Sequence, residues 1–114
     1  MKSYNLTLLK EQCGNDKLFF NDMLDIFIRT SLEGLLKMEE ANLKNDFKAL
    51  GDCAHKILSP FMHIHAAALI ILLKEIEASA DSKTLTSERA GFLVQKIKLQ
   101  AEELINDLRL EYFK

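Results

Sequence analysis

One proline, four glycines, two cysteines and no tryptophan leave this 114-residue chain with few of the devices that interrupt helices or staple loops. Gly14, Gly34, Gly51 and Gly91 stand apart from one another, so there is no glycine-rich loop to cradle a nucleotide phosphate. Cys13 and Cys53 are too few for a disulfide framework. The first residues, Met1-Lys2-Ser3-Tyr4-Asn5, carry no apolar signal core, and together these absences predict reduced thiols and a cytoplasmic protein. The most apolar run, Ala66 to Leu73, covers eight residues, against the roughly 20 that span a bilayer. No membrane contact by this chain is expected. A net charge of −2 with no basic block argues against nucleic-acid binding through phosphate neutralisation.

What is present favours helices. The chain is 48% hydrophobic and 28% charged, with Leu, Ile, Lys, Glu and Ala dominant, which predicts a single folded domain over residues 1–114. Residues 5–13 read as a short helix begun by Asn5 and stopped by Gly14. Asn15 or Asp16 then caps one long or slightly broken helix reaching about Lys44, with Phe19, Phe20, Met23, Leu24 and Phe27 at helical steps. Its apolar arc is wider than one core face needs. Asn45-Asp46 is a polar joint and cap for a third helix, which Pro60 should kink. A fourth helix is predicted from about His65 or Ala66 to Ser79, followed by a loop over Ala80–Thr84. Thr86 or Ser87 caps a fifth, whose stripe is Ala90, Leu93, Val94, Ile97, Ala101, Leu104, Leu108 and Tyr112. Short joints between long amphipathic helices predict an all-α fold: an antiparallel four-helix bundle with a short additional N-terminal helix.

The third helix carries the one histidine on a clearly polar face. At about 100° per residue its apolar stripe is Phe47, Leu50, Ala54, Ile57, Leu58 and Phe61, and His55 lies roughly 140° from the stripe's centre. Its neighbours on the outward face are Lys48, Gly51, Asp52 and Ser59. An exposed histidine is ordinary on a helix, but a neutral imidazole held rigidly beside small residues and a cation is also a serviceable nucleophile. His63 and His65 diverge by about 200° on a helix, and neither Cys-x-x-Cys nor His-Glu-x-x-His is present. No metal site is therefore expected. Cys53 projects to a different side of the helix from His55, so no thiol–imidazole pair is expected either.

Ala54-His55-Lys56-Ile57-Leu58 inside a helix resembles the phosphoacceptor motif of histidine-containing phosphotransfer (HPt) domains. Gly14-Asn15-Asp16 followed by Phe19, Met23-Leu24 and Phe27-Ile28 is similar to the first long helix of that family. The spacings from Leu43 to the histidine helix, and from His55 to Leu69–Glu77, extend the resemblance over residues 4 to 112. Where the family commonly has Lys and Gly three and four residues after the histidine, this chain has Leu58 and Ser59. Lys48 on the His55 face is the expected substitute for the missing cation, with Lys56 a poorer one and Ser59 a small, hydrogen-bonding neighbour. His55-Lys56-Ile57-Leu58-Ser59-Pro60-Phe61 also resembles the H-box of sensor histidine kinases. Those kinases usually place an acid where Lys56 stands, and nothing after residue 62 resembles their ATP-binding domain.

The resemblance implies a phosphorelay intermediate in two-component signal transduction, free-standing or part of a hybrid histidine kinase, and not an enzyme on its own. His55 would accept a phosphoryl group from the aspartyl-phosphate of a response-regulator receiver domain and pass it to another receiver. No cofactor of its own is implied, since Mg²⁺ belongs to the receiver. The partner is expected to dock on Phe20, Leu24 and Ile28 beside Gly51 and Asp52, and the carrier to be a monomer. The competing expectations are a non-catalytic helical adaptor and a dimerising H-box fragment.

Overall fold

The computed structural model describes residues 3–113. Five helices follow in order: α1 (Thr7–Gln12), α2 (Lys17–Leu43), α3 (Phe47–His63), α4 (Ala67–Asp81) and α5 (Ser87–Tyr112), with no strand among the described residues. The fold is all-α, as expected. Three of the helix starts are written in short polar side chains that accept from otherwise orphaned N–H groups. The Asp16 carboxylate accepts from Phe19 N at 3.0 Å, Asp46 from Ala49 N at 3.1 Å, and the Thr86 hydroxyl from Arg89 N at 3.2 Å. Asn5 accepts from Thr7 N at 2.9 Å and so leads into α1, which is shorter than the expected residues 5–13.

Helices α2 to α5 close a ring, with α3 packed on α2 and α4, and α5 packed on both α2 and α4. Neighbours run in opposite directions. Phe27 meets Phe61 edge-on at 5.4 Å while Gly34 lies against Ile57; Phe20 meets Tyr112 while Glu39 pairs with Lys98 at 3.3 Å. The core inside the ring includes Leu24, Met38, Leu50, Ala54, Phe61, Leu73, Ile76, Leu93 and Ile97, all fully buried. Burial of such side chains contributes on the order of 2 kcal/mol each and outweighs local propensity. Helix α2 accordingly runs unbroken through Thr30-Ser31 and Gly34, although the buried Ser31 hydroxyl has no hydrogen-bond partner. Helix α3 likewise continues past Pro60 to His63.

The end of α4 differs from the sequence expectation. Ala80 and Asp81 are helical, so the loop starts at Ser82. The reason is tertiary: Ala80 packs against Gly51, and the Ser79 carbonyl accepts from Thr84 N and Leu85 N beyond the helix. Leu85 is buried as a plug under this turn. The start of α5 is clamped to α4 by a two-pronged pair, Arg89 Nε and Nη2 to the two Glu75 oxygens at 2.6 and 2.8 Å. Those bonds hold the Glu75 carboxyl below the usual carboxylate range.

Where α3 crosses α4, a Cβ on Gly51 would lie 2.8 Å from the Ala80 Cβ, so only glycine permits this approach. Gly51→Ala is expected to lower stability by ~1 kcal/mol, overpacking of about 1–3 kcal/mol exceeding the helix-propensity gain of about 1 kcal/mol. Gly91, with nothing within 4 Å of the added methyl, supplies the control: Gly91→Ala is expected to raise stability by up to ~1 kcal/mol in urea denaturation.

Candidate functional site

The close crossing at Gly51 and Ala80 determines what lies next to His55. One turn along α3 and one turn back along α4, the His55 ring meets Glu77, with Nδ1 2.8 Å from Glu77 Oε1. The histidine side chain is 72% exposed and that of Glu77 36%. An ionised carboxylate only accepts, so Nδ1 carries the proton. In the neutral ring the lone pair is then on Nε2, which has no partner among the described residues. The arrangement holds one tautomer and one ring orientation on a rigid helix, with the basic nitrogen facing solvent.

A cleft of about 1070 Å³ opens beside this pair, between α3, α4 and the turn after α4. Phe47, Ala78, Ala80 and Leu85 give it an apolar floor, and its polar rim combines Lys48, Lys74 and Lys83 with Asp52, Glu77 and Asp81. Three cations thus share one opening with three carboxylates, and the imidazole stands at its edge. No group of three His, Cys, Asp or Glu side chains converges to hold a metal ion among the described residues.

Of the residues singled out from the sequence, the structure brings together His55, Lys48, Gly51 and Asp52 around this cleft. Lys56 and Ser59 are exposed on α3 but do not line it. The Ser59 carbonyl accepts from His63 Nδ1 at 2.9 Å, a bond within α3. The expected docking residues need correction. Phe20 is 8% exposed, Leu24 fully buried and Ile28 3% exposed, so none presents a surface to a partner. These three lie on the stripe that closes the core, while the surplus apolar residues facing out of the N-terminal half of the same helix are Leu18, Phe19, Met23 and Ile26. Gly51 is also buried, because it serves the helix crossing.

Cys53 is half-buried, and burial pushes its thiol up despite the nearby Lys56 and Lys37 charges. A raised thiol is a poor nucleophile at neutral pH. Sequence reasoning missed Glu77, Lys74 and Lys83. The first two stand three apart on α4 and so share a face, but only the register between α3 and α4 shows that this face looks at His55. No family model matches the chain, and no curated protein or solved structure is significantly similar to it.

Nitrogen-15 NMR of the neutral ring is expected to show His55 mainly as the Nδ1–H tautomer. Glu77→Ala should move the population toward Nε2–H without changing the helical signal in circular dichroism.

Proposed function

We propose that this protein is a cytoplasmic phosphoryl carrier of the HPt kind, with His55 as the acceptor and receiver domains as donor and recipient. The observation that carries the reading is the His55–Glu77 pair, which leaves a nucleophilic Nε2 exposed at the mouth of a cleft rimmed by three lysines and three carboxylates. In the forward step the Nε2 lone pair attacks phosphorus in line with the acyl phosphate of a receiver. The P–N bond forms as the P–O bond breaks, and the electron pair leaves on the receiver's carboxylate. The Nδ1 proton stays on the ring, bonded to Glu77, and balances part of the charge that arrives. Reversal onto a second receiver regenerates the neutral ring. Transfer of this kind needs positioning and charge neutralisation more than covalent machinery, and the receiver's Mg²⁺ supplies much of the latter. The resemblance of Ala54-His55-Lys56-Ile57-Leu58 to the HPt motif supports the same assignment.

His55→Gln is expected to abolish acid-labile, base-stable labelling by receiver domains carrying ³²P on their aspartate, with helical content unchanged. Persistence of that label in the variant would remove His55 from the role. The ring of α2, α3, α4 and α5 closes its core within one chain, which favours a monomeric carrier over a dimerising kinase hairpin. Sedimentation is expected to give a single species near 13.0 kDa.

A further inference from the structure

The charge around His55 sets a problem that the histidine does not solve. A bound phosphoryl group brings roughly two negative charges, and the groups nearest to it on this surface include the carboxylates of Glu77 and Asp52. Three lysines line the cleft, and the helix register ranks them. Gly51 lies against Ala80 and His55 bonds to Glu77, so four residues forward on α3 correspond to three residues back on α4. A further step of three reaches Lys74, on the same face of α4 as Glu77 and about one turn, or ~5 Å, along the axis. Lys48 is two turns from His55 on α3, about 10 Å along its axis. Lys83 lies beyond the end of α4, in the turn at the same far end of the cleft. Lys74 also forms no ion pair among the described residues, so its ammonium is available to an incoming anion.

We infer that Lys74 is the phosphoryl-neutralising cation of the His55 site, contributed by α4 across the helix crossing. The inference rests on His55 as the phosphoryl acceptor. Lys74 acts on the equatorial oxygens as the P–N bond forms and stays paired with the phosphoramidate afterwards. Glu77, whose own charge opposes the phosphoryl group, is tolerated beside it because Lys74 offsets that charge. The arrangement divides the work between two residues of one helical face: Glu77 holds the ring and Lys74 holds the phosphate.

Potassium phosphoramidate tests this without a partner protein, since Nε2 attack on its phosphorus expels ammonia and leaves the same phosphohistidine. The phosphohistidine is followed by ³¹P NMR in the wild type, with His55→Gln defining the background from His63 and His65. Lys74→Gln is expected to slow labelling of His55 on the order of 10-fold, as loss of a nearby partly screened unit charge implies. Lys74→Arg should restore most of the rate, and Lys48→Gln and Lys83→Gln should change it less than Lys74→Gln does. Equal rates for Lys74→Gln and the wild type, or a larger loss in Lys48→Gln or Lys83→Gln, would overturn the assignment. Parallel reactions with phosphorylated receiver domains separate the two claims. A Lys74 effect on phosphoramidate labelling without any transfer from receivers upholds the lysine's role and removes the relay. Receiver transfer that is indifferent to Lys74 does the reverse.

Discussion

The approach of α3 to α4 is the constraint on which the site depends. Gly51 allows the two backbones to come together at Ala80, and every facing pair further along the helices inherits that register. His55 reaches Glu77 because of it, and Lys74 falls on the same side. Without the missing Cβ at residue 51 the helices would stand apart and the imidazole would lose the carboxylate that orients it. A residue with no side chain thus sets the orientation of one that lies a full turn away.

Around that crossing the structure separates two kinds of electrostatics. At Glu75 and Arg89 a carboxylate and a guanidinium satisfy one another in a two-pronged pair, which fastens the start of α5 and leaves neither available to a ligand. In the cleft three ammonium groups and three carboxylates surround an opening, and among the described residues only Glu77 is committed, to the His55 ring. The first pattern belongs to architecture. The second is what a surface needs if it is to receive a charged group and release it again, because binding that is too well compensated would not let go.

Much of the fold was legible from the chain. Asp16, Asp46 and Thr86 are strong capping residues in front of apolar periodicity, and each caps the helix expected of it. The stripe of α5 was readable from Ala90 to Leu108 because its buried residues recur at helical steps, while the exposed Phe92, Leu99 and Leu110 are too scattered to form a rival stripe. Helix α2 was harder. Its apolar residues cover most of its circumference, so periodicity could not say whether Phe20, Leu24 and Ile28 or Leu18, Phe19, Met23 and Ile26 faced inward; packing against α3 and α5 decided it. The outward direction of His55 was legible from a single helix, whereas Glu77 and Lys74 were not, since their relation to His55 is a fact about two helices and their register. The end of α4 was misjudged for the same reason: Ala80 is held helical by a contact far away in sequence.

The molecule is a rod, 45 Å long and 24 by 23 Å across, and His55 sits near the middle of α3 on its flank. A protein that covers that nitrogen must lie side-on and occupy much of the rod's width. On a body this narrow, the flank around His55 has room for one protein-sized visitor at a time.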